Sequence, residues 1–468
     1  MRTPPVPAGA APPRMAGAPA VPWIGDARHS TMLAAMVWLL VVLMIVPDGF
    51  DYAGLTSLSA PTQGAPVTRL LWLSLLGLSA IFIAWRSALA WLVLRWLNPF
   101  LPAFLALAVA SAAWSIEPSL TVRRDIRLLT FIGVALAFVL AGWHARRFQN
   151  VVRPILTIML AGSVLFGLAF PLYAIHQESS PELAGAWRGL TNHKNSFGAL
   201  SCIALIFWLH AGLSREVRPF AAFAGGALAA ACLLLSRSST SLVTGLFATA
   251  FLVVFLRAPR GLLRYLPFAT GAFVLLLLTY SLAILRLLPG LDLLLAPVVA
   301  FTGKDLTFTG RSDIWAIITD HIRFQPWFGT GYGAYWSPQP NSPSIEFVQR
   351  LHFYPASAHN GYLEIVNDIG IVGLFCLLGY LLTHLEQSLA LLGRNRAQSA
   401  LYLALFLQQA LTNLSESHWL SPMSVNCVIM TLATAALART RLEYRLRHYF
   451  GEPLACQTAP GAAAAAGG

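Results

Sequence analysis

Long apolar runs constrain the fold of this chain more than any other feature. Each is long enough to cross the hydrocarbon core of a bilayer, about 30 Å. Hydrophobic residues make up 57% of the 468 positions and charged residues 11%, so the apolar content exceeds what one soluble core can bury. The sequence therefore predicts an all-α polytopic membrane protein with about twelve transmembrane helices. The runs begin near Thr31, Val67, Pro99, Asp125, Pro154, Ser196, Pro219, Ser241, Tyr265, Gly361, Ser399 and Leu420.

The positive charge of the chain follows the membrane topology. The net charge of +12 would suggest a nucleic-acid partner in a soluble protein, but here the arginines lie in short connections between apolar runs. With both termini in the cytoplasm, every cytoplasmic connection is basic, as the positive-inside rule expects. Twelve of the 31 Lys and Arg residues fall on the other side and need another reason: Arg69, Arg123, Arg124, Arg127, Arg188, Lys194, Arg237, Arg286, Lys304, Arg311, Arg323 and Arg350.

One connection is much longer than the others and divides the chain. It is polar, aromatic and rich in Gly and Pro, whereas connections are usually short. Within it, Gly310–Arg323 has the periodicity of an amphipathic helix. Before the loop, Trp85–Asn98 is typical of an interfacial segment. The predicted regions are a disordered cytoplasmic leader (1–30), nine membrane helices (31–288), a large periplasmic loop with short helices (289–358), three more membrane helices (359–438), and a basic cytoplasmic tail with a disordered end (439–468).

A turn between two membrane helices carries an arginine among hydroxyls. Arg237 is flanked by Ser236 and Ser238, and a guanidinium beside hydroxyl groups can bind a phosphate. An arginine near hydrocarbon is a functional hypothesis by default, because an unpaired cation there is costly. The alternative is an interfacial arginine that extends to the lipid headgroups.

A second basic segment, Ala186–Gly198 (AWRGLTNHKNSFG), immediately precedes a membrane helix. The free N–H groups and positive dipole end of that helix add to the attraction for an anion. The candidate phosphate or substrate contacts are Arg188, His193, Lys194 and Asn195. The alternative is that Asn192 or Asn195 only caps the helix, with the basic side chains in water.

The long loop and its end supply further candidates. Arg311 opens the loop helix, and Pro326–Trp336 (PWFGTGYGAYW) combines turn glycines with aromatic rings that can stack on sugars, Tyr332 among them. His359 stands just before the helix that starts at Gly361, where a neutral imidazole can accept a proton from a hydroxyl nucleophile. An isolated histidine at a helix start can also be a cap or a surface residue.

Together these segments resemble the O-antigen ligase and polymerase superfamily, and more closely its exopolysaccharide-polymerase (ExoQ-like) branch. The similarity extends from about Ser111 to Leu420, and the HKN element at His193 favours a polymerase. It rests on AWSIEPS (113–119), WRGLTNHKNSFG (187–198), SRSSTSL (236–242), Gly310–Trp315 followed by Pro326–Gly333, HNGYLE (359–364) and NLSE (413–416).

This resemblance implies a metal-independent, inverting glycosyltransferase of the GT-C class in the bacterial inner membrane. It implies an undecaprenyl-diphosphate-linked glycan as donor, two arginines on the diphosphate and a loop histidine as base, with no cofactor. Arg237 and Arg311 match the arginines, His359 matches the base, and Arg188 is a further basic contact. Asn360 and Glu364 belong to the same HNGYLE motif and are candidate substrate contacts.

Three functions stay open at this point. The chain can polymerise lipid-linked repeat units at the periplasmic face, transfer finished glycan to lipid A core as a ligase, or transport a lipid-linked glycan. The acceptor, which separates the first two, is not visible in the sequence, nor are the sugar, its linkage and the oligomeric state.

The lipid bilayer is a partner, a chain-length regulator is a candidate partner, and nucleic acid is not expected. The outer loops show no DxD, HxxxH or tight carboxylate cluster, and the five cysteines form no CxxC pair.

Overall fold

A computed structural model describes most of the chain. The ranges described are 27–52, 65–178, 183–265, 311–337, 342–352, 354–355, 357–422 and 424–450, with positions 268–269, 271–273, 275 and 279. Much of the predicted ninth span after Tyr265, the first part of the long loop and the ends of the chain lie outside these ranges.

Helices account for the regular structure of the described ranges, apart from one isolated antiparallel bridge between Ile175 and Trp187. A 3₁₀ turn covers Asp48–Phe50. The helices are α1 (Ser30–Ile45), α2 (Pro66–Trp85), α3 (Ser87–Trp96), α4 (Phe100–Ser111), α5 (Pro118–Phe138), α6 (Arg147–Ala169), α7 (Pro171–Ala174), α8 (Lys194–Leu213), α9 (Pro219–Leu235), α10 (Ser239–Arg257), α11 (Arg260–Leu263), α12 (Arg311–Ile322), α13 (Ile345–Leu351), α14 (Gly361–Ala390), α15 (Arg396–Thr412) and α16 (Val425–Phe450).

Several of these helices are suited to a bilayer. Among the described residues, α2, α6, α8, α10 and α14 are long and apolar enough to span it. Helices α3 and α4 pass the same test as a pair but meet at 103°. Helices α1 and α9 are apolar but shorter, with 16 and 17 residues. The prediction of an all-α, multi-pass membrane protein is confirmed, while the number twelve stays a prediction.

The spans pack around a large apolar core. Helix α8 lies against α9 and α10, α2 against α5, α10 against α15, and α14 against α4. Aromatic rings join three of the elements: Phe148 of α6 is 5.5 Å from Phe207 of α8 and 6.0 Å from Tyr402 of α15, between ring centroids. The bundle therefore holds the ends of α8, α10, α14 and α15 in fixed relation to one another.

The described part of the long loop has its own small core. Helix α12 buries Ile314, Trp315, Ile317 and Ile318 against other loop residues and the start of α14. The predicted amphipathic helix over Gly310–Arg323 is confirmed, and its apolar face is the one that the periodicity indicates.

Helix α14 is broken near its start, and the loop fills the break. Ile369 and Gly370 leave the helical conformation, with φ of 71° at Gly370. The Asn367 and Asp368 carbonyls accept from the backbone N–H groups of Thr330 and Gly331 (3.1 and 2.8 Å), and Ile371 N–H donates to the Pro326 carbonyl (2.9 Å). A helix break within a membrane exposes backbone groups that must find partners. Here the partners come from the glycine-rich segment of the loop, residues 326–333.

The structure gives secondary structure to two predicted segments. Helix α16 continues to Phe450, so residues 439–450, the first part of the predicted tail, are helical. The polar residues of its last turns replace the apolar ones without interrupting the helix, since Arg, Leu and Glu are all good helix formers. The interfacial segment Trp85–Asn98 is the helix α3, with Trp91 exposed and Arg95 stacked on that ring at 5.3 Å.

Candidate active site

A carboxylate on the connection between α15 and α16 joins three segments that are far apart in the sequence. Glu416 Oε1 accepts hydrogen bonds from Asn195 Nδ2 (2.7 Å) and Arg311 Nη2 (2.9 Å). Its Oε2 lies 3.3 Å from His359 Nδ1. The Glu416 side chain is 10% exposed, against 17% for Arg311 and 28% for His359. These four residues are called the Glu416 cluster below.

Asn413 shapes the connection that carries Glu416. Its Oδ1 accepts from the backbone N–H groups of His418 (2.8 Å) and Trp419 (2.7 Å), and its Nδ2 donates to the Gln409 carbonyl (2.8 Å). Its own carbonyl accepts from Gly361 N–H at 2.9 Å. A Cβ at Gly361 would lie 2.0 Å from Asn413 Oδ1, so only glycine allows this approach. The connection is thereby fixed against the start of α14.

Three helix N-termini meet at this connection. Asn195, in the first turn of α8, contacts Glu416. Thr240, in the first turn of α10, accepts a hydrogen bond from Ser415 Oγ at 3.0 Å. The backbone N–H of Asn360, the N-cap of α14, donates to Ser417 Oγ at 3.2 Å. Helix N-termini carry partial positive charge and attract anions. The site is therefore electropositive in its backbone as well as in its side chains.

The neighbours of Glu416 keep it ionised. Burial alone would raise its pKa, but the hydrogen bond with His359 and the charges of His359 and Arg311 lower the pKa to about 2. Burial lowers the pKa values of His193 and His418 to about 4, so both rings are neutral at pH 7.

The loop helix α12 holds Arg311 in place. The Trp315 indole N–H donates to the Ala358 carbonyl at 2.8 Å, which joins α12 to the residue before His359. The apolar face of α12 is buried, and Arg311 lies at its first position. The loop core thus determines where the guanidinium and the imidazole lie relative to each other.

The histidine has an unusual backbone conformation. His359 has φ of 49°, in the left-handed region, and Arg237 has φ of 48°. Residues other than glycine seldom adopt this conformation, and it recurs at functional sites. Both residues were selected from the sequence as candidate catalytic groups.

The segment before α8 divides into residues inside and outside the cluster. Asn195 belongs to it, whereas His193 is the N-cap of α8 and accepts from Asn195 N–H at 3.2 Å. Neither Asn192 nor Asn195 is the cap, contrary to the alternative considered above. Lys194 N–H donates to His176 Nε2 at 3.2 Å, and the His176 ring lies 5.2 Å from that of His193.

The Arg237 turn adjoins the cluster, but its guanidinium is directed elsewhere. Arg237 is exposed, and its Nη1 donates to the Ala184 carbonyl at 3.0 Å. Ser236 is buried and donates to the Leu233 carbonyl at 2.6 Å. Ser238 is the N-cap of α10, accepting from Ser241 N–H at 3.4 Å. The two serine hydroxyls serve the ends of α9 and α10 in this structure.

Three other predicted contact residues form hydrogen bonds with backbone groups of the protein. Arg188 is buried, and its Nε donates to the Tyr173 carbonyl at 2.7 Å. Tyr332 is buried in the large apolar core, and its hydroxyl donates to the Leu420 carbonyl. Asn360 caps α14 through Tyr362 and Leu363 N–H groups at 3.0 and 3.1 Å.

Glu364 connects α14 to the loop. Its Oε1 accepts from the Trp336 indole N–H (2.5 Å), and its Oε2 accepts from Ala358 N–H (2.6 Å) and Ser417 Oγ (3.1 Å). It therefore holds together the segments on both sides of His359. Of the twelve predicted site residues, the structure brings Arg311, His359 and Asn195 into direct contact with one carboxylate.

Glu416 lies in the NLSE motif, but no role was predicted for it from the sequence. The signal was present, because a single carboxylate between two apolar runs is costly unless it is paired. Its partners come from residues 57, 105 and 221 positions away, so no local spacing indicates the pairing.

Comparison with known proteins finds a similarity to one family. Residues 224–378 match the model of the O-antigen ligase family (Wzy_C). That region includes the Arg237 turn, α12, His359 and most of α14.

A particular relative is the exopolysaccharide production protein ExoQ of Rhizobium meliloti (strain 1021). The two chains are 29% identical over 297 residues, an alignment that covers 60% of this chain and 63% of ExoQ. The aligned region thus spans less than two thirds of the length of that relative. Together the comparisons confirm the resemblance to the O-antigen ligase and polymerase superfamily and to its ExoQ-like branch.

Proposed function

We propose that this protein is a GT-C-type, metal-independent and inverting glycosyltransferase of the inner membrane. Its donor is an undecaprenyl-diphosphate-linked oligosaccharide, and its acceptor is a second lipid-linked repeat unit at the periplasmic face. The product is a longer exopolysaccharide or O-antigen chain. The family match and the ExoQ relative support an activity of the ligase or polymerase type.

One observation carries the proposal. A guanidinium and an imidazole from separate segments, Arg311 and His359, contact the same ionised carboxylate beside three helix N-termini. Glycosyl transfer from a lipid diphosphate is accelerated by a cation that stabilises the diphosphate leaving group and by a base that accepts the proton of the nucleophile. Structural ion pairs alone do not require a partly exposed imidazole on a backbone in the left-handed region.

The reaction follows from these groups. A hydroxyl of the acceptor sugar attacks the anomeric carbon of the donor from the face opposite the diphosphate, and His359 accepts the hydroxyl proton. The bond between the anomeric carbon and the phosphate oxygen breaks as the new glycosidic bond forms, which inverts the configuration. The lipid diphosphate leaves with the electron pair, and Arg311 stabilises its developing charge. Arg237 acts as the second guanidinium once its bond to the Ala184 carbonyl is exchanged for the donor.

A ligase is the second candidate, and the description of the matching family favours it. The chemistry at the anomeric carbon is the same, and only the acceptor differs. The ExoQ relative favours polymerisation, because its name describes exopolysaccharide production.

The test is to incubate purified protein with a synthetic lipid-diphosphate repeat unit, first alone and then with lipid A core, and to separate the products on a gel. A ladder from the repeat unit alone supports the polymerase. A product that requires lipid A core identifies a ligase. Glu346→Gln is a matched control, because Glu346 forms an exposed ion pair with Arg350 on the loop helix α13. No product in either reaction, with donor bound, would refute the glycosyltransferase.

A further inference from the structure

Glu416 contacts the proposed base through a nitrogen that determines which form of the ring can react. An ionised carboxylate can only accept hydrogen bonds. Its contact with His359 Nδ1 therefore places a proton on that nitrogen. In the neutral ring, Nε2 is then the unprotonated nitrogen and the acceptor for a proton.

The same carboxylate restrains Arg311. One guanidinium nitrogen donates to Glu416, and a guanidinium has five N–H donors in a fixed plane. The contact orients that plane. One carboxylate oxygen bonds to a single guanidinium nitrogen here, so most of the N–H donors are not used by Glu416. Asn195 holds the same oxygen from the side of α8, so the carboxylate itself has little freedom to rotate.

We propose that Glu416 is the positioning residue of the reaction: it holds His359 in the tautomer whose Nε2 accepts the proton of the acceptor hydroxyl, and it fixes Arg311 beside that base. The inference rests on the proposed glycosyltransferase. It adds a residue that touches neither the donor nor the acceptor and acts through the two residues that do.

The negative charge of Glu416 has opposite effects on binding and on chemistry. A carboxylate beside Arg311 opposes the binding of an anionic diphosphate. During the reaction His359 becomes a cation, and the same carboxylate stabilises it. Removal of the charge with retention of the shape should therefore slow the chemical step without weakening the binding of the donor.

Glu416→Gln makes this change. Its carboxamide oxygen can still accept from Asn195 and Arg311, but its NH₂ group then faces His359. A donor at that place favours the ring form with an unprotonated Nδ1 and a proton on Nε2, which is unable to act as base. If the role of Glu416 were purely structural, Glu416→Gln should change the transfer rate little, because the carboxamide keeps hydrogen bonds to two of the three partners.

The experiment measures two quantities on purified protein in nanodiscs: the Kd for a fluorescent lipid-diphosphate repeat unit, and the rate of its transfer at saturating donor. We expect Glu416→Gln to lower the transfer rate by about tenfold or more. The loss should not exceed that caused by removal of the base, which is roughly 10²–10⁴-fold. The Kd should not rise. Glu346→Gln should change neither.

A double substitution shows whether Glu416 acts through His359. In a His359→Ala background the base is gone, so Glu416→Gln should add little to the loss of rate. If Glu416→Gln does not reach the membrane, Glu416→Asp replaces it in the same comparison, since it keeps the charge and withdraws it by one methylene.

The outcomes separate this inference from the proposed function. No product from the unaltered protein overturns both. Product from the unaltered protein, together with wild-type rate in Glu416→Gln, overturns the positioning role alone. A rise in Kd that matches the loss of rate, or a loss that is undiminished in the His359→Ala background, assigns Glu416 a structural role instead.

Discussion

Replacement of His359 should abolish most of the transfer rate while donor binding persists. The imidazole contacts Glu416 through one nitrogen at 3.3 Å, and 28% of its side chain is exposed. General-base catalysis contributes roughly 10²–10⁴-fold, which corresponds to about 2.7–5.4 kcal/mol of activation free energy. His359→Ala should lose that factor in the single-turnover rate, because His359 is the one imidazole among the four residues of the Glu416 cluster.

The backbone at this position requires a second variant. His359 has φ of 49°, a conformation that histidine, asparagine and aspartate tolerate better than alanine. Part of any loss in His359→Ala can therefore come from strain, of order 1 kcal/mol or more. His359→Asn keeps the backbone preference but has no basic nitrogen, so it should be as slow as His359→Ala and better folded.

The assay compares the variants at equal membrane abundance, by donor Kd and by polymer formation. Added imidazole should restore part of the rate in His359→Ala, where the side-chain volume is vacated, and none in His359→Asn. A normally folded His359→Asn protein that polymerises at the wild-type rate would refute the general-base assignment.

Four further predictions test other parts of the proposal. Arg311→Lys and Arg237→Lys should each impair donor binding at least about tenfold, because a point charge cannot reproduce the guanidinium fork; wild-type Kd values in both would exclude the diphosphate assignment. EDTA should leave turnover intact, since the arginines compensate the charge of the leaving group, and a loss that magnesium or manganese restores would contradict this. Phosphatase fusions should be active at Ser337 and inactive at Gly393, because the positive-inside rule places them on opposite sides; the reverse pattern would overturn the topology. Gly370→Ala should strongly destabilise the protein, because the φ of Gly370 is 71° and an added Cβ would lie 2.1 Å from the Trp327 carbonyl oxygen. A thermal-unfolding scan measures this loss, and an unchanged Tm would contradict it.

Hydropathy and periodicity were sufficient to predict many of the helices and their starts. The predicted helix after His359 begins at Gly361, and the loop helix begins at Arg311. Both follow from local patterns, namely a long apolar run and the spacing of Ile314, Ile317 and Ile318. The break of α14 at Gly370 was not predicted, because a single glycine in an apolar run does not distinguish a straight helix from a broken one.

Part of the site could not be predicted from the sequence, because it depends on contacts between residues that are far apart in the chain. Arg311 and His359 were selected as chemical types, and the structure places both against Glu416. Ser236 and Ser238 were selected for the same reason, but their hydroxyls complete helix ends, which need hydrogen-bond partners as much as a phosphate does. Composition cannot decide between those two uses of a hydroxyl.

The loop segment that fills the break of α14 affects how this helix enters the membrane. After the break, residues 371–390 are long enough to span a bilayer, about 1.5 Å for each residue. The first turns carry two carboxylates that bond to loop groups. Glu364 accepts from the Trp336 indole N–H and the Ala358 N–H, and Asp368 accepts from Gly333 N–H at 2.9 Å. During synthesis, the second half of α14 can therefore insert as an ordinary span, while the first half reaches its final position only with the folded loop. Formation of the start of α14 is in this way a step of loop folding, separate from the insertion of the helix bundle.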